Sequence, residues 1–465
     1  MKNKSLLKSI ILIVSICLAI FALSACSISD FVAFEEAPAY IVGTSINESG
    51  ELIVEYSNGE TENLGVVVGA DGKDGTNGID GVDGKDGKDG KDGINGADGK
   101  DGAIIIQGGE ESTDSLAQVV ASVIQSTVLI QSEYISAATG LLSYSSGAGV
   151  IYSCNKAQGE ALIVTNYHVV FNENATTDNK ICETLKVYLY GSVVSNMGIE
   201  ASFVGGSVQY DLAVLKISNS DIIKNSEVSA VNIKDSKLVH AGDTAIAIGN
   251  PKADGFSVTS GIVSVDSENI DITISEEFGE ATMRVMRIDT AVNSGNSGGG
   301  LFDRNGYLIG IVNAKSIESN VDNIGYAIPS STMVAIVENI IDYCLNTDCE
   351  TLQKVLLGIN VQILNPYSKY NPETGYVDLY EESTVVGIPD PLTSAAYGKL
   401  MVGDKIKKVT ISGSRDISSE IVRQYYLLDI LLYARVGDTV TITVDRNGVE
   451  LDVEIVITES CIVSC

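Results

Sequence analysis

Only two histidines occur in these 465 residues, and one stands in Thr165-Asn166-Tyr167-His168-Val169-Val170. Downstream follow Asp211-Leu212-Ala213-Val214-Leu215 and Asn293-Ser294-Gly295-Asn296-Ser297-Gly298-Gly299. A serine hydroxyl is a poor nucleophile until an imidazole takes its proton, and that imidazole needs a carboxylate to fix its tautomer and steady the imidazolium. His168, Asp211 and Ser297 supply the three groups. The chemistry they point to is acyl transfer through the serine. Glycines around Ser297 allow the tight turn that exposes a hydroxyl and aims backbone amides at a substrate oxygen.

Composition narrows the alternatives. Formal net charge is −31, which argues against nucleic acid and anionic membrane surfaces as partners. Two histidines cannot build a conventional zinc-peptidase site, and no His-Glu-x-x-His occurs. Neither a metal nor a cofactor is expected.

The chain opens with Met1-Lys2-Asn3-Lys4, an apolar run from Ile10 to Leu23, then Leu23-Ser24-Ala25-Cys26. A basic start, a short apolar core and small residues before a cut describe a secretory signal over 1–25. Six cysteines lie beyond Cys26, at 154, 182, 344, 349, 461 and 465. They allow 15 pairings. A bridge from Cys154 to Cys182 across the histidine loop is attractive, and free thiols are the alternative.

Residues 40–68 alternate apolar and polar around Asn-Glu-Ser-Gly and Ser-Asn-Gly turns and predict two or three short strands. From Gly69 to Gly102 every third residue is glycine, with no proline. Such a repeat forms either a collagen-like triple helix supported by Lys–Asp pairs or a solvated acidic spacer. Beyond Thr113 the composition becomes globular. Leu116 to Val128 carries apolar residues at helical spacing, and many short β-rich runs follow, which suggest β-barrels. Met333 to Leu345 predicts a closing helix.

Residues 113–345 resemble the protease domain of the HtrA/Deg family. Besides the His, Asp and Ser blocks, the likeness rests on Ala247-Ile248-Gly249-Asn250-Pro251, Val258-Thr259-Ser260-Gly261-Ile262-Val263 and Gly325-Tyr326-Ala327-Ile328-Pro329. It implies a mainly β fold, a chymotrypsin-like double barrel. His168 is then the general base, Asp211 its orienting carboxylate and Ser297 the nucleophile, with an oxyanion hole from the Gly295 and Ser297 N–H groups. The family's usual prolines beside this loop are replaced by Ser294 and Gly300, which loosens it. Ala291 falls at the base of the primary specificity pocket, with Ile311 and Asn313 on its wall. That set favours a small or medium aliphatic residue before the cut. Residues 266–281 occupy the position of a regulatory loop, and His240 falls on a surface turn.

The likeness continues over 351–460, which resembles a PDZ domain, an α+β fold. Leu357, Gly358 and Ile359 would form its carboxylate-binding loop, Ser394-Ala395-Ala396 its first helix and Asp429–Ala434 its second, while 363–380 reads as irregular. Leu-Ser-Ala-Cys resembles a bacterial lipobox, so Cys26 would carry lipid and 26–39 would tether the enzyme outside the cell membrane. The resemblance implies a homotrimeric endopeptidase acting on unfolded or misfolded exported proteins and on peptide C-termini. The alternative is a catalytically weak scaffold, adhesin or chaperone working through the PDZ and collagen-like segments.

Overall fold

A computed structural model of the chain describes residues 41–47, 49, 51–66, 104–106, 115–191, 198–250, 255–275, 279–313, 324–389 and 394–465. The signal segment, Cys26 and the Gly-X-Y repeat lie outside these residues. Chain contacts divide the protein into Met1–Gly93 and Ile94–Cys465.

In the first unit, β1 (Ile41–Ile46), β2 (Glu51–Tyr56) and β3 (Thr61–Val66) form a three-stranded antiparallel sheet. The Ser-Asn-Gly turn works because Gly59 takes φ 85°, a conformation open to a residue without a Cβ.

The second unit begins with β4 (Ile104–Ile106) and α1 (Leu116–Val123). A reciprocal box between Ser115 and Gln118 starts the helix. Helical spacing runs on to Val128, but the helix stops at Val123 and a single tight turn leads into β5 (Thr127–Ile135). The β-branched residues of that strand pair with the next one, Val128 opposite Gly149, so sheet burial overrides the local periodicity.

Six strands then close the first barrel: β5, β6 (Leu142–Asn155), β7 (Glu160–Thr165), β8 (Thr184–Tyr188), β9 (Ile199–Ser207) and β10 (Leu212–Ile217). The four-residue helix α2 (Tyr167–Val170) leaves its rim after β7. Val128, Ile130, Ile151, Ile163 and Leu215 fill the interior. Cys154 and Cys182 also lie buried in that core, and the disulfide considered between them is not formed.

After α3 (Asp221–Lys224) and β11 (Asn232–Lys234), a second sheet runs through β12 (Thr244–Gly249), β13 (Ser257–Ser275), β14 (Gly279–Ile288), β15 (Gly300–Phe302), β16 (Leu308–Asn313) and β17 (Gly325–Pro329). Pairing of β15 with β16 closes it into another ring, and β11 and β4 extend it. The stretch 266–281, expected as a loop, is mostly the paired arms of β13 and β14. Helix α4 (Ser330–Cys344) buries Met333, Ile336, Val337 and Ile340 against both barrels.

The C-terminal module contains β18 (Gln353–Val355), β19 (Asn360–Tyr370), β20 (Val377–Gly387), β21 (Lys405–Ser412), β22 (Ile417–Glu420), α5 (Gln424–Leu431), β23 (Thr439–Arg446), β24 (Val449–Val456) and β25 (Ile462–Ser464). Three expectations need correction. Residues 363–380 form a hairpin of β19 and β20 that is bulged between Leu364 and Tyr367, where Asn365 takes φ 50°, and is held by strand pairing and the stacked rings of Tyr367 and Tyr380. Ser394-Ala395-Ala396 opens a run of turns that Gly398, at φ 73°, stops from becoming a helix. The second helix starts at Gln424, five residues before Asp429.

Charge pairs fasten this module to the barrels. Arg284 Nη1 donates to Asp429 Oδ2 at 2.8 Å, and Ser331 and Thr332 donate to the same carboxylate at 2.9 Å each. The Arg284 guanidinium also lies 3.4 Å from the centre of the Tyr425 ring. Arg423 reaches Asp266 on β13. His240 is not on a bare surface: its ring stacks on Tyr376 at 3.8 Å.

Candidate active site

Each candidate residue sits on a short turn projected from a barrel strand. Asn166 precedes α2 and sends its side-chain Nδ2 to the carbonyl of Asp211 at 2.9 Å. That contact fixes Asp211 at φ 49°, a left-handed conformation that costs a non-glycine residue about 1–2 kcal/mol. The turn aims the carboxylate back at α2. Asp211 Oδ1 accepts from the His168 backbone N–H at 3.0 Å, and Oδ2 meets His168 Nδ1 at 2.7 Å. One carboxylate thus grips both the backbone and the ring of the histidine. Asp211 is 5% exposed, and the His168 side chain is 28% exposed, so the ring's far edge opens towards solvent while the carboxylate stays dry.

The Ser297 loop is built by close backbone approach. Ser297 O accepts from Ala148 N at 2.8 Å, Gly298 N donates to Val312 O at 2.9 Å, and Asn250 N donates to Gly295 O at 3.1 Å. These bonds clamp the loop between β6, β16 and the end of β12. Gly295 and Gly298 take φ 99° and 83°, and a Cβ on Gly298 would collide with Ala148 O and Thr165 Oγ1. Gly147 joins the two halves of the site. A Cβ there would meet Val169 Cγ2, next to His168, at 2.6 Å and Ser297 O at 3.0 Å. The histidine turn and the serine turn therefore press on the same glycine of β6. The His168–Asp211 pair and the Ser297 turn thus approach each other at Gly147 from different parts of the fold.

The pocket-wall residues fare differently. Ile311 is fully buried in the core between the barrels and pairs with Gly300 and Ile328, so it cannot line an open pocket. Asn313 is 3% exposed, and its Nδ2 donates to Asp211 Oδ2 at 2.9 Å. The amide thus braces the Asp211 carboxylate, a contact that no local feature of the sequence marks. Ala291 is exposed, with its carbonyl accepting from Thr259 Oγ1 at 3.0 Å.

In the C-terminal module, Leu357 is 3% exposed and belongs to the core, with its carbonyl taking Ser394 Oγ at 3.0 Å. Gly358, at φ 70°, passes against Ser394 too closely for a Cβ. Leu357, Gly358 and Ile359 border a cavity of about 300 Å³ whose opposite wall is Leu427, Leu428 and Leu431 of α5. Tyr210, the residue before Asp211, also borders it. Among the described residues no cluster of three or more metal-ligating side chains occurs.

Two closed β-barrels with a histidine, a buried aspartate and a glycine-flanked serine at their junction define the chymotrypsin-like class of serine peptidase folds. Comparison with known proteins agrees. Residues 147–311 match the trypsin-like peptidase domain. The chain is 33% identical over 332 residues to Serine protease Do-like HtrA of Lactococcus lactis subsp. cremoris, spanning 67% of this chain and 70% of that protein. It is 32% identical over 318 residues to Serine protease Do-like HtrA of Bacillus subtilis, spanning 66% of this chain and 62% of the relative, under two thirds of its length. Among solved structures, HtrA-type protease AlgW with tripeptide is similar at 26% identity and a TM-score of 0.47, over 74% of this chain and 97% of that one. The chain belongs to the HtrA family of serine proteases.

Proposed function

We propose that this protein is a membrane-tethered serine endopeptidase that cleaves unfolded or misfolded exported proteins. The observation that carries the reading is the two-point grip of Asp211 on His168 beside the clamped Ser297 loop. His168 Nε2 takes the Ser297 proton as Oγ attacks the scissile carbonyl. Asp211 holds the tautomer and stabilises the imidazolium, which then protonates the leaving amine. Water repeats the sequence to free the acyl group. The N–H groups of Gly295 and Ser297 would hold the oxyanion, where one donor is typically worth about 10²–10³ in rate.

Ala291 brings no charge to the primary pocket, which supports a small or medium aliphatic preference over Lys or Arg. The apolar cavity between Gly358 and α5 supports a PDZ-type role in which a peptide terminus adds as a strand beside β19. Cys26 would carry the lipid anchor outside the cytoplasm, and residues 69–102 would space the enzyme from the membrane or join three chains. The test is casein digestion and fluorophosphonate labelling of the protein beside its Ser297→Ala variant. Digestion should fall by several orders of magnitude and labelling should vanish; persistent labelling of the variant removes the assignment.

A further inference from the structure

Tyr190 and Phe256 form an aromatic pair that the triad chemistry does not use. Tyr190 stands just past the end of β8 in the first barrel, and Phe256 directly precedes β13 in the second. Their ring centres are 5.2 Å apart with the planes at 78°, an edge-to-face contact across the junction of the barrels. Phe256 is half-buried and packs on the core between the barrels, so its ring is anchored. Tyr190 is 50% exposed. A ring held in a fixed orientation yet left half in water can bury more apolar surface against a ligand.

The root of this pair is tied to the serine loop. Phe256 precedes Ser257, which pairs with Gly249 at the end of β12. The next residue, Asn250, is 4% exposed. Its Oδ1 accepts from Gly255 N at 3.0 Å, and its own N–H donates to Gly295 O at 3.1 Å. A Cβ on Gly249 would stand 2.7 Å from Asn296 Cα. The backbone that carries Phe256 is therefore joined through Asn250 to Gly295, whose N–H is assigned to the oxyanion.

The direction of the substrate gives the pair to one of its halves. On the peptidase reading above, the residue before the cut enters beside Ala291 of the second barrel. The chain past the cut leaves over the first barrel, where Ala148 N donates to Ser297 O at 2.8 Å. Strand β6 pairs with β5 from Leu142 to Val150, and with β7 only from Val150 on. Backbone groups on one edge of a strand recur at every second residue. Ser146 thus presents its N–H and C=O on the edge where Ala148 meets Ser297, and among the described residues no strand covers that edge at Ser146. A leaving chain is held extended there, with its side chains alternating. The first residue past the cut lies on the His168 side, and the second turns the other way, towards Asn250 and the ring pair.

We propose that Tyr190 and Phe256 determine specificity for the leaving half of the substrate, taking an apolar side chain, branched aliphatic or aromatic, two residues beyond the cut. Such a side chain packs on both rings and shields the exposed face of Tyr190, whereas glycine or a carboxylate there gains nothing from them. Apolar side chains are buried in folded proteins. A demand for one on the leaving side therefore selects chains that are unfolded, which rests on the peptidase reading and extends it.

The experiment measures kcat/KM of the whole protein on internally quenched peptides that differ only in the second residue past the cut, which is Leu, Phe, Gly or Asp. A p-nitroanilide with the same residues before the cut carries no chain beyond it. The parent should favour Leu and Phe over Gly about tenfold, the scale on which a hydrophobic pocket discriminates. Tyr190→Ala and Phe256→Ala should each erase that preference and leave p-nitroanilide hydrolysis within about twofold of the parent. Tyr190 is exposed, so its truncation keeps the test intact if Phe256→Ala fails to fold. No preference in the parent, or a preference that survives Tyr190→Ala, overturns the assignment. An equal loss on the p-nitroanilide overturns it too, because the rings then only brace the Ser297 loop. Fluorophosphonate labelling separates the two readings: a labelled parent without the preference loses the ring assignment alone, whereas an unlabelled, inactive parent loses the peptidase reading and this one with it.

Discussion

Asn313 offers the sharpest test of how the site is held. Its Nδ2 lies 2.9 Å from Asp211 Oδ2, the oxygen that also faces His168 Nδ1 at 2.7 Å. Both residues are buried, at 3% and 5% exposure, so water cannot replace the donor without opening the core. A hydrogen bond to a charged group is worth about 1.5–3 kcal/mol. If that stabilisation is needed to keep Asp211 aligned in the transition state, Asn313→Ala should lower kcat roughly ten- to hundredfold, at 1.36 kcal/mol per tenfold. KM should barely move, because the side chain is buried and its amide is engaged with Asp211. Asn313→Asp should be worse, since two carboxylates in one dry site cannot both ionise freely. The assay is steady-state hydrolysis of a set of peptides differing in the residue before the cut. A kcat within about twofold of the parent, or a changed residue preference at intact kcat, would refute the positioning role and restore Asn313 to the pocket wall.

Three further outcomes are expected. Asp429→Ala strips Arg284 of its carboxylate at the junction of barrel and module, and an uncompensated buried charge costs about 3–5 kcal/mol; urea unfolding should shift by that order, and a loss under about 1 kcal/mol would contradict a dry pair. Asp404 is buried, which raises its pKa, but the paired hydrogen bonds from Arg446 and the Met401 N–H outweigh burial and hold the carboxyl below its usual range. A lowered folded pKa means stabilisation complete above the ordinary value of 3.8 and lost as pH falls below it, so Asp404→Asn should flatten the acid limb of a stability–pH curve measured by thermal melting. Finally, the protein should partition into detergent through lipid at Cys26, and Cys26→Ala should release it or leave it unprocessed; a mature chain that starts elsewhere without lipid, by mass spectrometry, would exclude the anchor.

The sequence by itself determined the local pieces. The glycines around Ser297, the polar Asn166 before His168 and the apolar strand after Asp211 encode turns and strands within a few residues, because backbone conformation and strand alternation are short-range properties. The frequent short strands suggested β-barrels for the same reason, while the double-barrel arrangement came from the resemblance to the HtrA/Deg family. Only the tertiary structure decided which side chains meet. Asn313 reaches Asp211 across 102 residues, and nothing within its own strand distinguishes a wall residue from a carboxylate donor. Cys154 and Cys182 flank the histidine symmetrically and share one barrel core, yet no disulfide joins them, and Cys344 pairs with Cys349 instead. Helical spacing beyond Val123 yielded to strand pairing at Val128, and strand pairing and the Tyr367–Tyr380 stack made residues 363–380 a bulged hairpin. Long-range pairing sets these outcomes through burial and hydrogen bonding between distant segments, and a single segment carries no record of its partner.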